Sequence, residues 1–506
     1  WRYTMNTGIA YALSLNDHNL TFNGRAEIRS TSSNTESFVA TGFPKGVGAI
    51  PSFAYSFKEN STPGYSESIS RGVSFLGTFN YNYKYRYLFD ASLSSDGSTS
   101  FGRDKKFQTF WSVGAGWNVS KESFAKDWDW MQELKLRGSF GSNGNQNVSN
   151  LTSNVYSYYA GSDIFGTASY LSGYANPNLE WQVVKKTSVG IDLMFWDNRL
   201  LLTMDYYHTN TNPLVVSIQQ KPSSGLSTLP INLGHLNTNG FEFNVSWYAI
   251  RNLEKRIMLN FRLNGNTYKS VYGGFGEALA NLNDAYKKDS SVDSKLNVNS
   301  MIQYQDGESP TALFAVRSLG IDPATGKEVF LTKNGTPTFD YNADDRVKIA
   351  DTNPKIRGVF GISFTYKNLQ ASVNLRYNLG SFAFNSALFN KVENISASNI
   401  AYNQDKRALY SRWQNAGDVS QFKGISLTTQ TPISSRFVQR DNYLRGESAR
   451  ISWDFSRDEW IKRLFLKDLR FNVSFNDFFD LSEMKRERGT DYPFQRAISF
   501  GLSARF

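Results

Sequence analysis

The sequence predicts an all-β chain, a transmembrane antiparallel β-barrel, and three observations carry that prediction. Apolar and polar residues alternate with period 2 in stretch after stretch, most plainly at the end: Ile498, Phe500, Leu502, Ala504 and Phe506 take one parity, Ser499, Gly501, Ser503 and Arg505 the other. The links between such stretches alternate between short and long down the whole chain, an asymmetry that barrels with short turns at one rim and long loops at the other require. Composition agrees, since 27 Tyr and 38 Phe supply aromatic girdles while no run of apolar residues is long enough for a membrane helix. A soluble sheet ending on so apolar a strand would leave a sticky edge, whereas a closed barrel has no edge and turns its apolar face to lipid.

Net charge is +10, but the Lys and Arg are scattered over strand ends and loops with no basic helix or nucleic-acid module, so nucleic acid is not an expected partner. Cysteine is absent, which excludes a disulfide framework, a thiolate metal site and a Cys nucleophile. The chain opens on Trp1-Arg2-Tyr3 without a start Met or signal peptide, and is expected to be a processed product or a portion of something longer.

Taken in order, Ile9 to Leu15 and Leu20 to Ile28 form a hairpin across Asn16-Asp17-His18-Asn19, and Ser30 to Ser70 reads as a long loop. Phe75 to Tyr81 and Arg86 to Ser94 pair next, followed by a shorter loop carrying Asp96 to Gly102. Trp111 to Val119 then connects to Leu134 to Phe140 through Lys121 to Met131, which reads as one short helix. After the loop Asn143 to Asn178, Val189 to Phe195 and Leu200 to Tyr206 meet across Asp197-Asn198. The loop Thr211 to Leu236 leads to Phe241 to Ala249 and Leu259 to Leu263. Beyond the longest loop, Tyr268 to Pro354, come Val359 to Tyr366 and Leu369 to Tyr377 around Lys367-Asn368. A last long loop reaches Gln439, and Ala449 to Phe455, Phe471 to Phe475 and the closing strand complete the set.

This makes about fifteen strands, an odd number. If the last strand ends at the periplasm, counting back places the Trp1 end outside the cell. A single-chain bacterial barrel has an even number of strands. The chain is therefore expected to lack the start of its own barrel, with another polypeptide or a further segment closing it.

Several blocks resemble the C-terminal part of the SusC/RagA family of TonB-dependent outer-membrane transporters of Bacteroidetes. They are Arg86-Tyr87-Leu88-Phe89-Asp90-Ala91 with Asp96 to Gly102, Leu134 to Gly141 with Gly144-Asn145, Asn178-Leu179-Glu180-Trp181, Asp205-Tyr206-Tyr207, and Asn232-Leu233-Gly234 with Asn239-Gly240-Phe241-Glu242. Arg412-Trp413, Gly417-Asp418, Ser435-Arg436-Phe437-Val438, Asn442-Tyr443-Leu444-Arg445 and the tail Tyr492-Pro493 to Phe506 continue the series in family order. The resemblance implies a barrel of about 22 strands, of which this chain holds about fifteen, with the plug, TonB box and first strands lying outside it. It also implies location in the cell outer membrane, a SusD-like surface lipoprotein as lid, and TonB-ExbB-ExbD acting through the N-terminal region.

Candidate chemistry is sparse. His18, His208 and His235 have no close-spaced second ligand, and no nucleophile-elbow sequence supports a hydrolase, so no enzyme is expected. Asp340, Asn342, Asp344 and Asp351 stand at positions 1, 3, 5 and 12 of a calcium-type loop, with Asp345 where the loop needs Gly and Asp351 in place of the bidentate Glu. Calcium is the one cofactor this chain suggests, against an ordinary Asp/Asn-rich turn. The loop aromatics Tyr156, Tyr158, Tyr159, Phe165, Tyr170 and Tyr174 suit stacking on sugar rings or gripping peptide side chains, or packing loop against loop. The expected role is active import of an oligosaccharide or oligopeptide. The alternatives are a transporter-like barrel serving as an anchor for surface or secretion machinery, and a passive pore.

Overall fold

The computed structural model describes residues 1–46, 50–58, 64–101, 105–145, 155–159, 168–173, 176–219, 228–276, 301–395, 397–426, 429–456, 458, 460–461, 466–485 and 496–505. Fifteen strands form one antiparallel sheet in chain order. They are β1 (Arg2–Leu15), β2 (His18–Ser37), β3 (Gly64–Tyr83), β4 (Tyr87–Ser98), β5 (Phe107–Asn118), β6 (Met131–Asn145), β7 (Gln182–Phe195) and β8 (Leu200–Thr211). Then follow β9 (His235–Asn252), β10 (Ile257–Gly273), β11 (Ile356–Tyr366), β12 (Leu369–Leu379), β13 (Tyr443–Asp454), β14 (Asp468–Ser482) and β15 (Ala497–Arg505). Each stretch of period 2 named above is one of these strands, and no described helix is long and apolar enough to cross a membrane.

Several expected loops are folded instead. The β2–β3 ladder runs unbroken to Ser37 opposite Gly64, so both ends of the Ser30 to Ser70 segment, Ser30–Ser37 and Gly64–Ser70, are strand. Both faces of Ser30–Ser37 are polar, and with no apolar side the period-2 signal vanishes there although the hydrogen-bonded ladder does not. Asp96 to Ser98 close β4 rather than open a loop. The segment expected as one helix is two 3-10 turns, Val119–Lys121 and Ser123–Ala125, too short for an α-helical pattern to propagate.

The tight links are made by residues with positive φ. Lys84 and Tyr85 have φ 54° and 53°, Asp197 and Asn198 55° and 64°, and Lys367 53°. Such turns match the right-handed twist of the strands they join.

The chain divides into two compact units, Trp1–Ala115 with Phe140–Val184 and Gln220–Asn232, and Gly116–Ser139 with Lys185–Gln219 and Leu233–Phe506. In the first, β1 to β4 put Ile9, Tyr11, Phe22, Phe75 and Leu93 on one exposed apolar face. A small dry cluster forms where Trp181 stacks on Phe101 with centroids 4.1 Å apart and meets Phe110 edge-on. Glu180 N donates to Asn232 Oδ1 at 2.8 Å, and Asn232 Nδ2 donates back to the Glu180 carbonyl at 3.0 Å.

The second unit also has an exposed apolar strand face, reaching 72% exposure at Phe500 and 71% at Leu502. Its dry core lies off the sheet, in the two longest connections. Met301, Leu313, Ala315, Phe384, Phe389, Ile433 and Phe437 pack together, and Val392, Ile395, Ala408 and Phe422 form a second cluster beside Leu388. Short strands bind these segments: Ala312–Ala315 pairs with Val347–Asp351, Arg317–Ile321 with Glu328–Leu331, and Phe382–Phe384 with Val438–Arg440. Apolar groups thus face outward along the sheet and inward in the loops, a distribution that makes sense only if the sheet's outer solvent is hydrocarbon.

Candidate functional site

Strand register in the second unit lines up polar residues across six strands. Asp205 stands opposite Glu242, Glu242 opposite Asn266, Asn266 opposite Arg357, Arg357 opposite Asn378, and Asn378 opposite Tyr443. Two residues along, Thr203, Asn244, Asn264, Val359, Arg376 and Arg445 form a parallel row on the same face. Both rows arise because side chains of one parity share a face, and antiparallel pairing carries that parity from strand to strand. Between them lies a recess of about 560 Å³, lined by Asp205, Glu242, Asn244, Asn266, Arg357 and Arg376 among others.

Partners fix most of these charges. Arg137 donates to Asp192 from Nε at 2.9 Å and reaches Asp205 with Nη1 at 2.7 Å, crossing above Gly190, where a Cβ would meet the guanidinium carbon at 2.7 Å. Arg376 is paired with Glu447, and Arg445 donates to Asp480 at 3.1 Å while stacking on Tyr443 at 3.7 Å. Arg357 donates to Asn266 Oδ1 at 3.1 Å and lies over the Tyr268 ring at 5.6 Å. Glu242 forms no salt bridge among the described residues. Just beyond it, Tyr207 lies across Gly240 with Lys186 at 5.0 Å from its ring centre. The recess thus offers an exposed acid, an exposed guanidinium and several amides, with the rings of Tyr207 and Tyr268 on the same strand face outside its lining, an inventory for holding a polar oligomer by hydrogen bonds and stacking.

Four of the aromatics singled out from sequence fall on described strands. Tyr156, Tyr158, Tyr159 and Tyr170 belong to the hairpin Val155–Tyr159 and Ala168–Gly173, with Tyr158 opposite Ser169 and Tyr170 opposite Ser157. Phe165 and Tyr174 lie outside the described residues. Of the wall residues, Lys186, Tyr268 and Arg357 carry no motif of their own and Glu242 stands in the family block Asn239 to Glu242, but only the strand register, invisible before folding, brings the four together.

The calcium-type loop is split between elements. Asn342 Oδ1 accepts from Asp344 N at 3.0 Å to cap the turn Ala343–Asp345, and Asp345 Oδ1 accepts from Lys333 N at 2.9 Å. Asp340 N donates to Thr338 Oγ1 at 3.0 Å. Asp351 ends a strand and accepts from Thr311 Oγ1 at 2.6 Å and Asn353 N at 2.8 Å. Among the described residues no group of three or more His, Cys, Asp or Glu gathers in a way that would hold a metal. The histidines are locally bonded: His18 to Tyr81 OH at 2.9 Å and His208 to Asn239 Oδ1 at 2.8 Å, with His235 against Gly273.

The motif residues Arg412 and Arg436 hold the loop core together. Arg436 pairs with Glu328 at 2.9 Å and Glu393 at 2.8 Å, while Arg412 donates to the carbonyls of Val392, Glu393, Ala408 and Lys423. Burial alone would push the Arg436 guanidinium down, but its bonds to Glu393 and Glu328 outweigh this and hold it above its ordinary value.

A family model described as TonB dependent receptor-like, beta-barrel matches residues 2–307. TonB-dependent receptor P3 of Formosa agariphila is 26% identical over 436 residues, covering 83% of this chain and 41% of the relative. TonB-dependent receptor SusC of Bacteroides thetaiotaomicron is 25% identical over 459 residues, covering 86% and 44%. The chain thus spans less than half the length of these curated relatives. The solved RagAB peptide transporter superposes with a TM-score of 0.80 over 96% of this chain and 52% of that one, at 18% identity, which establishes a common fold.

Proposed function

We propose that this chain, which belongs to the TonB-dependent receptor-like β-barrel family, forms the greater part of the wall and long-side loops of an outer-membrane importer for a polar oligomer, an oligosaccharide or oligopeptide. The observation that carries this reading is the pair of rows from β8 to β13, polar throughout but for Val359, around a recess of about 560 Å³, backed by an outer face of exposed apolar side chains. Glu242, Arg357 and the rings of Tyr207 and Tyr268 contact the cargo, while Arg137, Arg376 and Arg445 are held by carboxylates and shape the wall. No covalent step is involved. A cargo bound more tightly in one state of the importer than in another shifts the balance between them, and that difference sets direction.

The rest of the machine belongs to the same reading. A plug, a TonB box and further strands complete the barrel, TonB-ExbB-ExbD supplies energy, and a SusD-like lipoprotein closes over the long-loop side. The folded core of the second unit's loops gives such a lid a shaped surface to dock on. Calcium at Asp340, Asn342, Asp344 and Asp351 is separable from all of this and would bear only on the stability of the loop.

Titration calorimetry of the purified full-length protein with oligosaccharide and oligopeptide pools tests the site. Glu242→Ala and Arg357→Ala are expected to weaken binding of the recognised pool by about tenfold to a hundredfold, as loss of a charged hydrogen bond does. Unchanged affinity in both variants would move the site elsewhere. Uptake should cease in cells without TonB; flux that persists there marks a passive pore, and loss of a surface assembly with no transport defect marks an anchor.

A further inference from the structure

On the apolar face of the first unit two glycines stand side by side with nothing over them. Gly24 pairs with Gly77, and Ile9 and Leu93 flank them in the same cross-strand row. Phe22 and Phe79, with ring centroids 4.8 Å apart, wall one side, and Phe75 stands on the other. The result is an apolar trough of two adjoining recesses, about 620 and 440 Å³, which share Ile9, Gly24, Gly77 and Leu93 as lining.

Several other strand glycines in the sheet make room for a neighbour in the same chain. A Cβ at Gly97 would meet the Phe107 ring at 2.6 Å, one at Gly240 the Tyr207 ring at 2.2 Å, and one at Gly265 the Phe243 ring at 2.6 Å. At Gly24, by contrast, the nearest atom is a side-chain carbon of Ile9 at 3.5 Å, and at Gly77 nothing lies nearer than 4.0 Å. The chain leaves this depression open, on a face turned to hydrocarbon.

We infer that the trough seats one acyl chain of an anionic, phosphate-headed lipid from the long-loop leaflet. Charge supports the choice of lipid. Arg71 lies on β3 with the same parity as Phe75 and Gly77, is exposed, and has no side-chain partner among the described residues. It stands six positions from Gly77 towards the long-loop rim, about 20 Å along the strand, or about 15 Å of depth at the usual strand tilt. That depth is one leaflet of hydrocarbon, so a lipid whose phosphate meets Arg71 places its chain over the two glycines. The inference rests on the membrane-facing surface and is independent of the cargo.

Native mass spectrometry of the purified full-length protein, released from detergent after titration with dimyristoyl phosphatidylglycerol or with the phosphatidylcholine of the same chains, tests it. One phosphatidylglycerol is expected to stay bound, several-fold more than phosphatidylcholine. Retention should fall about tenfold in Gly77→Leu, which fills the trough, and several-fold in Arg71→Gln. Neither Gly24 nor Gly77 has a positive φ, and both sites accept a Cβ, so Gly24→Val provides a second filled variant that folds. Retention equal to wild type in both filled variants, equal retention of the two lipids, or a co-purifying polypeptide in place of lipid would overturn the inference.

Discussion

Arg436 lies 2.8 Å from Glu393, whose carboxylate is wholly enclosed. The same guanidinium reaches Glu328 at 2.9 Å, while Thr431 Oγ1 donates to Glu393 and Ser434 Oγ to Glu328. One cation thereby ties together three segments far apart in the chain. Breaking a buried pair strands a charge, so Glu393→Ala or Arg436→Ala is expected to destabilise the loop core by about 3–5 kcal/mol, and replacing both partners by apolar residues by much less. Hydrogen exchange read segment by segment checks this: protection should fall across 312–351 and 382–440 and persist in β8 to β12. Loss in the sheet first would mean that the pair supports the wall.

Tyr207 lies across Gly240, with its Cζ only 2.2 Å from where a Cβ would sit. Gly240→Val therefore expels the ring from the polar wall. The expected cost is about 1–3 kcal/mol of stability, as for other overpacked sites, together with weakened cargo binding. Tyr207→Ala should weaken binding without the overpacking cost. Urea unfolding and calorimetry on both variants separate the two effects.

These two examples mark how far the sequence is legible. Period 2 reveals each strand, because half of every strand must face lipid, and the alternation of short and long links reveals the two rims. Strand ends beyond the membrane, such as Ser30–Ser37, are polar on both sides and read as loop. Arg412 and Arg436 stand out as family residues, yet their pairing with Glu328 and Glu393 depends on contacts across distant segments that no local pattern encodes. The wall site is obscure for the same reason: Glu242 and Arg357 become neighbours only through the register of β9, β10 and β11.

Removing calcium is expected to leave the 340–351 segment in place. Asn342, Asp345 and Asp351 already accept hydrogen bonds from Asp344 N, Lys333 N and Thr311 Oγ1, so the turn is held without a cation. Thermal unfolding and limited proteolysis with and without a chelator should coincide. A calcium-dependent gain in protease resistance around Asp344 would instead establish the cation site.

Asp405 accepts hydrogen bonds from Arg407 through its side chain and its backbone N–H, which hold the carboxyl at about 2, below its ordinary 3.8. A carboxyl depressed on folding contributes stability above its unfolded value and loses it as pH falls through the folded one. The loop around Asp405–Tyr410 should therefore weaken between about pH 4 and pH 2, by about 1 kcal/mol once solvent screening of this partly exposed pair is allowed for. Asp405→Asn should remove that pH dependence in a proteolysis-rate profile of the segment.

The two rims can be told apart chemically because the sequence has no cysteine, so each single-cysteine variant reports one position. Asp344 sits in the longest connection and Tyr158 in the hairpin between β6 and β7, both on the long-loop side, whereas Asn198 and Lys367 occupy two-strand turns at the other rim. Short turns of outer-membrane barrels face the periplasm. A membrane-impermeant maleimide applied to intact cells should label Tyr158→Cys and Asp344→Cys, and reach Asn198→Cys and Lys367→Cys only after the outer membrane is opened. The opposite labelling would invert the chain in the membrane, placing the Arg436 loop core in the periplasm, where a surface lid could not dock on it.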